Sequence, residues 1–377
     1  MGFEAFDAYL DSLEGMGIPA CDCIIYRDHE LVHRHYHGFS DDAKTKPMNG
    51  HETYWYFSAT KLFTCVAAMQ LIEQGKLGLD DPVYRYLPAY TMLTVADGDI
   101  TRAARTILTV RHLMSMQSGL DYDEKAKAIV NAQQTYGAEA TTQQIVDAIA
   151  HKPLGFDPGT NYRYSLSHDV LAAIIEVVSG RTFGEYLKQN IFEPLGIQDI
   201  GFEQTESRMH RMCDMYVRDE VKNTTTLTEK TNNYVLAPKY ESGGAGLIGG
   251  VEDYILLTDA LACGGIGKTG KQILKPESIA LLSTPQLMNE RSKASFSRTD
   301  YGYSYALGVR VMVNPALKNA KSPIGEFGWD GAAGAYSLVD PKNHLSLFHA
   351  QHVLCYNTVY FEVHPHIRDL MYEALNL

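Results

Sequence analysis

The stretch YWYFSATK, residues 54–61, precedes a long apolar segment around which the rest of the chain is organised. Ser58 and Lys61 are three positions apart, so a helix that begins near Ser58 places both side chains on one face, one turn apart. Residues 62–74 are apolar around most of the helical circumference and end at Gly75, which predicts a helix buried inside a domain. A lysine at the start of a buried helix requires a specific role.

The spacing of Ser58 and Lys61 suits nucleophilic catalysis. Serine attacks well only when a neighbouring base accepts its proton, and a lysine can do so once burial or nearby charge disfavours its ammonium form. A helix N-terminus adds backbone N–H groups that can bind a developing oxyanion. Ordinary helix starts also combine a capping serine with a solvated lysine, so the spacing alone leaves both interpretations open.

Length and charge restrict the function classes. At 377 residues the chain exceeds the usual single domain and suggests two structural units. The net charge of −12 argues against nucleic acid or an anionic membrane surface as a partner. Residues 1–13 contain no secretory signal pattern, and no apolar run approaches the roughly 20 residues that span a bilayer. We therefore expect a soluble cytoplasmic protein, and the sequence leaves its oligomeric state open.

Two groups of residues could bind a metal. Cys21 and Cys23 would share one face of a strand, but the six cysteines are scattered and no second pair completes a zinc site. They fit reduced thiols better than a disulfide framework. His33, His35 and His37 alternate along a predicted strand, and without a fourth ligand a solvated strand face is the favoured interpretation. We expect no metal and no cofactor.

Strand patterns lie at the two ends of the chain, and helical patterns lie between them. Residues 20–39 predict two strands joined by a turn at 27–30. Later strand patterns cover residues 303–313, 325–329, 335–339 and 345–350. We predict an α+β fold in which residues 1–82 and 202–377 form an antiparallel β-sheet flanked by helices. Residues 83–201 are expected to form an inserted all-helical domain.

Three separated motifs match one family in the correct order. They are SATK at 58–61, YSL at 164–166 after the turn 157–160, and WDG at 329–331 at the entrance to a strand. Together they resemble the serine β-lactamase and penicillin-binding-protein superfamily over most of the chain. The branch they resemble is class C β-lactamase-like and includes family VIII carboxylesterases and statin-side-chain acyltransferases. This resemblance implies a β-lactamase/transpeptidase-like fold.

The resemblance also implies a role for each motif. Ser58 would be the nucleophile, Lys61 its activating partner, and Tyr164 the general base that later protonates the leaving group. The backbone N–H groups of Ser58 and Ala332 would form the oxyanion hole. A phenol with a pKa of about 10 is a poor base at neutral pH unless a cation stabilises its phenolate or a neighbour relays the proton. Lys61 is the candidate for that function.

A second copy of the third motif is expected to be coincidental. Residues 268–270 spell KTG, the usual third motif of the superfamily, but they lie in a Gly-rich loop before a predicted helix. The motif has to lie on a strand beside the site so that its backbone can bind substrate. The WDG motif has that setting.

Two departures from the family pattern narrow the range of expected substrate classes. Trp329 stands where β-lactamases and D-alanyl peptidases carry Lys or His, and Leu166 stands where they carry an Asn that contacts the substrate's amide. Losing the cation weakens recognition of anionic substrates, and Asp330 is expected to add like-charge repulsion. We predict that Trp329, Asp330, Gly331 and Leu166 bind substrate, and that the substrate is an ester.

The leading hypothesis is a serine hydrolase, either a carboxylesterase or an acyltransferase, that forms a covalent acyl-Ser58 intermediate. One alternative is a β-lactamase or D-amino-acid peptidase that recognises a substrate carboxylate through another residue, such as an arginine. A second alternative is a non-catalytic sensor or binding protein that stays acylated. The expected partner is a small-molecule ester or amide, and the sequence names neither its acyl group nor its alcohol.

Overall fold

The structure is a computed structural model that describes residues 2–377. Its strands, in chain order, are β1 (Ala20–Arg27), β2 (Glu30–Gly38), β3 (Tyr54–Trp55), β4 (Thr94–Asp97), β5 (Ile100–Ala103), β6 (Met215–Asp219), β7 (Thr224–Thr228), β8 (Ile248–Gly249), β9 (Tyr303–Tyr305), β10 (Arg310–Met312), β11 (Phe327–Gly328), β12 (Tyr336–Asp340), β13 (Leu345–Ala350) and β14 (Val353–Leu354).

The α-helices follow the same order along the chain. They are α1 (Glu4–Ser12), α2 (Thr60–Glu73), α3 (Val110–Met114), α4 (Lys127–Tyr136), α5 (Thr142–Ile149), α6 (Ser167–Ser179), α7 (Phe183–Leu187), α8 (Glu193–Leu195), α9 (Glu206–Arg211), α10 (Val251–Ala262), α11 (Pro276–Leu282), α12 (Glu290–Ser295) and α13 (His364–Ala374). No helix within residues 2–377 is long and apolar enough to cross a membrane.

A seven-stranded antiparallel sheet joins the two ends of the chain, in the order β2-β1-β13-β12-β11-β10-β9. Side chains alternate across this sheet because successive residues of a strand point to opposite faces. On β1, Ile24 packs in a core shared with α2, α6 and α10, whereas Cys23 and Ile25 pack with α1 and α13. The sheet therefore lies between two helical layers, which confirms the predicted antiparallel sheet flanked by helices.

The third predicted strand pattern, residues 303–313, is divided in the structure into β9 and β10. Gly308 in the turn between them has a φ of 91°, which is a left-handed conformation that favours glycine. A Cβ at this position would overlap the Sγ of Cys65 on α2. The turn at Gly308 approaches α2 so closely that the strand is interrupted between β9 and β10. The apolar pattern of residues 303–313 gives no information about this contact.

Residues 83–201 are mostly helical, and three helix starts there are capped by threonine. Thr109, Thr141 and Thr182 each accept a hydrogen bond from the backbone N–H three residues later. The segment also contains the β4–β5 hairpin, which corrects the prediction of an all-helical domain. Each strand of this hairpin has only four residues, mostly partly or fully exposed, so no apolar alternation marks them.

The predicted division of the chain into residues 1–82 with 202–377, and residues 83–201, stays a prediction. One hydrophobic cluster contains side chains from both parts, among them Leu62 of α2, Val170 of α6 and Leu257 of α10. Ser58 and Lys61 lie in the first part and Tyr164 lies in the second, so the active-site elements come from both parts as well. The two parts therefore share a continuous apolar core.

Candidate active site

Ser58 lies in a single turn of 3-10 helix, Phe57–Ala59, that leads directly into α2. Phe57 has a φ of 45°, a left-handed conformation that aromatic residues rarely adopt. Its ring is buried in a cluster with Trp55 and Ala333. Packing of this ring maintains the unusual backbone, and the turn presents Ser58 with part of its surface exposed at the start of a buried helix.

The Lys61 side chain is fully buried, with 0% of its surface exposed. Its Nζ lies 3.1 Å from Ser58 Oγ, 2.9 Å from the Tyr122 hydroxyl and 2.6 Å from the Gly244 carbonyl oxygen. Burial lowers the pKa of Lys61 to about 7, although the Asp169 carboxylate acts in the opposite direction. A neutral amine can donate to Tyr122 and Gly244 and still accept the proton of Ser58.

The Tyr164 hydroxyl accepts a hydrogen bond from Trp329 Nε1 at 2.9 Å. The Tyr164 ring centroid lies 4.7 Å from Lys61 Nζ. Burial raises the pKa of Tyr164, and Ser58 and Trp329 beside its hydroxyl offset only part of this effect. The phenol therefore keeps its proton at neutral pH, which suits a proton donor better than an initial base.

Residues 329 and 330 of the third motif have opposite surroundings. Trp329 packs against Tyr164, whereas the Asp330 carboxylate is 4% exposed and forms ion pairs with Arg298 and with Arg310 Nη1, the latter at 2.9 Å. Burial disfavours the Asp330 carboxylate, but the two arginines hold its pKa well below the usual range. The predicted like-charge repulsion by Asp330 is therefore wrong, since its carboxylate is buried and its charge is compensated by two arginines.

The turn after β11 lies directly against the segment that carries Ser58. A Cβ at Gly331 would overlap the carbonyl oxygen of Tyr56, so only glycine allows this approach. The Ala332 carbonyl accepts a hydrogen bond from the Tyr360 hydroxyl at 2.8 Å, and the Ala332 N–H has no hydrogen-bond partner within residues 2–377. This arrangement is compatible with the oxyanion hole predicted from the Ser58 and Ala332 backbones.

Leu166 is not a substrate contact in the structure, which corrects the prediction for this residue. Its side chain is 2% exposed and faces Ile129 of α4 and Ile149 of α5. The Leu166 backbone N–H donates to the Asp121 carbonyl, and this hydrogen bond holds Leu166 against helices α4 and α5. Leu166 therefore contributes to the core.

Tyr122 is a site residue that the sequence analysis missed. Its hydroxyl contacts Lys61 Nζ, and its ring lies 5.5 Å from the Tyr164 ring and 5.2 Å from the Tyr234 ring. No motif surrounds it, and it is one of 24 tyrosines. Only its position in space identifies it.

The alternating histidines do not form the solvated strand face expected from the sequence, because helix α1 packs over them and leaves their side chains only 20–31% exposed. His33, His35 and His37 each lie within 3 Å of a carboxylate of Asp7 or Asp11 on α1. Cys21 and Cys23 are buried free thiols.

A cluster of three residues that the sequence analysis did not single out, His29, Asp259 and Cys263, brings its potential metal-ligand atoms within 4.8 Å of one another. It joins the β1–β2 turn to α10, where the Asp259 carboxylate already accepts hydrogen bonds from the His29 backbone and ring.

Replacing Trp329 by phenylalanine is expected to lower kcat/KM for p-nitrophenyl esters by about fivefold. The substitution keeps an aromatic ring but removes the Nε1–H that donates to Tyr164, and a neutral hydrogen bond contributes about 1 kcal/mol. Tyr305→Phe is a matched control, because the Tyr305 ring also packs on Trp329 but its hydroxyl has no partner within residues 2–377. Full activity in Trp329→Phe would show that this hydrogen bond is irrelevant to turnover.

Comparison with known proteins gives one consistent result. A family model described as beta-lactamase matches residues 6–352. The chain is 26% identical to Esterase EstB of Burkholderia gladioli over 382 residues, which cover 94% of this chain and 90% of the esterase. It is 27% identical to Monacolin J acid methylbutanoyltransferase of Aspergillus terreus over 317 residues, covering 76% of this chain and 73% of the transferase.

A solved structure supports the fold independently. EstCE1, described as a hydrolase with promiscuous acyltransferase activity, matches with a TM-score of 0.80 and 24% identity, and the match covers 98% of each chain. At this identity the likeness shows the fold. Together with the family match, it confirms the resemblance identified from the three sequence motifs.

Proposed function

The chain belongs to the beta-lactamase family, and from this premise we propose that it is a serine hydrolase that acts on ester substrates through an acyl-Ser58 intermediate. The observation that carries the proposal is the 3.1 Å contact between Ser58 Oγ and the buried amine of Lys61. The names of the relatives, an esterase and an acyltransferase, support an ester as substrate. Hydrolysis and acyl transfer differ only in whether water or an alcohol accepts the acyl group.

In the proposed acylation step, Lys61 accepts the Ser58 proton while Ser58 Oγ attacks the ester carbonyl carbon. In this proposal the N–H groups of Ser58 and Ala332 bind the oxyanion. Tyr164 donates its proton to the departing alcohol oxygen as the carbonyl C–O bond breaks, and Lys61 then returns the proton it holds to the tyrosine. Water or a second alcohol attacks the acyl group by the reverse sequence, which restores Ser58.

The surroundings of the site favour a neutral ester over an anionic amide. The reacting groups are flanked by the aromatic side chains of Tyr122, Tyr164, Tyr234 and Trp329. The position that provides a cation in β-lactamases is occupied by Trp329, so no charge there attracts a substrate carboxylate. Aromatic rings and a neutral donor fit an uncharged acyl ester.

A second candidate, a β-lactamase or D-amino-acid peptidase, rests on one observation. An open cleft beside Tyr164 and Trp329 is also lined by Arg163 and Arg298. Arg298 is paired with Asp330, but the Arg163 guanidinium lies over the Phe156 ring and forms no ion pair within residues 2–377. Arg163 is therefore the group that could bind a substrate carboxylate.

Substrate turnover and adduct mass distinguish these functions. We expect faster turnover, measured as kcat/KM, of p-nitrophenyl butyrate than of nitrocefin. We also expect a fluorophosphonate to add a single adduct, located on Ser58 by peptide mass spectrometry. Faster turnover of nitrocefin would favour the β-lactamase, and a permanent acyl adduct without turnover would favour a sensor. Absence of both turnover and adduct would contradict every function based on Ser58.

The rate of ester hydrolysis is expected to fall below about pH 7. Lys61 has a pKa of about 7 and must be neutral to accept the Ser58 proton, so kcat/KM should decrease about tenfold per pH unit on the acid side. The measurement is a pH profile of kcat/KM followed at the isosbestic wavelength of nitrophenol. Tryptophan fluorescence at each pH verifies that the protein stays folded. A flat profile between about pH 5.5 and 8 would exclude Lys61 as the base.

We also propose that the protein is located in the cytoplasm. The support is that all six cysteines are free thiols, four of them buried, as is usual in a reducing compartment.

A further inference from the structure

Asp169 is a fully buried carboxylate in the first turn of α6. Its Oδ1 accepts hydrogen bonds from the Tyr240 hydroxyl at 2.7 Å, from Ser242 Oγ at 2.6 Å and from the Gly244 N–H at 3.3 Å. We propose that Asp169 is a positioning residue that anchors the loop of residues 240–246, so that the loop directs the Lys61 amine towards Ser58. This inference rests on the proposed ester reaction.

Gly244 connects the Asp169 carboxylate to the Lys61 amine. The Gly244 N–H donates to Asp169, and the Gly244 carbonyl accepts from Lys61 Nζ at 2.6 Å. Lys61 Nζ in turn contacts Ser58 Oγ. The chain of contacts therefore runs from the carboxylate through one peptide unit and the lysine to the nucleophile, and displacement of the loop would displace the amine.

The loop fits closely against the start of α6. A Cβ at Gly243 would overlap the His168 carbonyl oxygen, and a Cβ at Gly244 would overlap Asp169 Oδ2. Asp169 Oδ2 has no hydrogen-bond partner within residues 2–377 although it is buried. An unpaired buried carboxylate oxygen is costly, so a neutral side chain would serve better if Asp169 only anchored the loop. Its negative charge therefore has a use besides anchoring, namely its attraction for the proton on Lys61.

The other titratable groups around the pair are neutral at neutral pH. Burial raises the pKa of the tyrosine and cysteine side chains that face Lys61 or Asp169, and it lowers the pKa of His168 to about 3. These neighbours are Cys65, Tyr90, Tyr122, Tyr164, His168 and Tyr240. Burial also raises the pKa of Asp169, and the hydrogen bonds from Ser242 and Tyr240 together with the nearby Lys61 act in the opposite direction. In its ionised form, Asp169 is the neighbour that most raises the pKa of Lys61 against the effect of burial.

Asp169→Asn tests the inference, because asparagine has nearly the same shape but no charge. We expect kcat/KM for p-nitrophenyl esters to fall about 10- to 100-fold as the amine loses its position. We also expect the acid limb of the pH profile to move to lower pH, because Lys61 loses the carboxylate that raises its pKa. If Asp169 only anchored the loop and its charge had no effect on Lys61, Asp169→Asn would lower kcat/KM but leave the acid limb of the pH profile at the same pH.

Glu176→Gln is the matched control. Glu176 is also buried on α6, but its carboxylate accepts hydrogen bonds from the Phe183 N–H and from Gln143, away from Lys61. We expect this variant to lose stability without a shift of the acid limb. An equal shift in both variants would mean that the limb reports general loosening of α6, which would overturn the inference.

Two further variants test the same contacts if Asp169→Asn does not fold. Tyr240→Phe and Ser242→Ala each remove one hydrogen bond to Asp169, and each should lower kcat/KM about three- to tenfold. Unchanged rates in both would overturn the inference. An inactive wild type would instead contradict the proposed ester reaction, so the two failures are distinguishable.

Discussion

Ser58→Ala is expected to reduce kcat/KM for p-nitrophenyl esters by about four orders of magnitude or more. In the proposed reaction the acyl group is bonded to the Ser58 hydroxyl oxygen. Without this nucleophile, Lys61 and Tyr164 have no proton transfer to assist. Stopped-flow or steady-state release of nitrophenol measures the loss, and intact mass after fluorophosphonate treatment should show no adduct. Residual turnover within tenfold of the wild type would contradict a covalent mechanism at Ser58.

Two controls accompany this prediction. Ser12→Ala removes an exposed hydroxyl on α1 and should leave the rate unchanged. The double variant with Ser58→Ala and Lys61→Ala should be no slower than Ser58→Ala alone, because both proton transfers of Lys61 in the proposed reaction depend on the proton it takes from Ser58. A further large loss in the double variant would give Lys61 a separate role.

Arg310→Met is expected to lower the free energy of unfolding by about 3–5 kcal/mol, because it removes the buried cation that lies between the buried carboxylates of Asp330 and Glu326. Arg310 is 1% exposed, and its Nη1 donates to Asp330 at 2.9 Å. Its Nη2 donates to the Ser337 carbonyl at 2.8 Å and lies 3.6 Å from Glu326. Equilibrium unfolding in urea measures the loss. Because Trp329 follows β11 beside this cluster, ester turnover should decrease as well.

Lys222→Met provides the comparison for Arg310. Lys222 forms an ion pair with Asp219, but its side chain is 77% exposed, so water screens the pair. Its urea midpoint should match that of the wild type. If Arg310→Met also kept the wild-type midpoint, the buried charges would not stabilise the sheet.

Features that depend on neighbours in the chain were predictable. The contact between Ser58 and Lys61 follows from helical spacing, because the two residues are one turn apart. The order of the motifs, matched to a family, was enough to identify the sheet flanked by helices. These features need no information about distant segments.

The tertiary structure decided the surroundings of each side chain. Trp329 and Asp330 are adjacent residues after β11, and only the packed structure shows that the Trp329 side chain meets Tyr164 whereas the Asp330 side chain meets Arg298. Leu166 lies two residues after Tyr164, yet it faces the core of the helical layer. Neither placement is encoded in the spacing of the motif.

The sequence by itself determined that Ser58 and Lys61 meet, because one helical turn separates them. It did not determine that Lys61 can act as a base near neutral pH. That property comes from full burial of the amine and from the groups around it: Tyr122, 61 residues away, the Gly244 carbonyl, 183 residues away, and the Asp169 carboxylate. A pKa depends on every charge and dipole within a few ångströms. Only the folded chain brings those groups together.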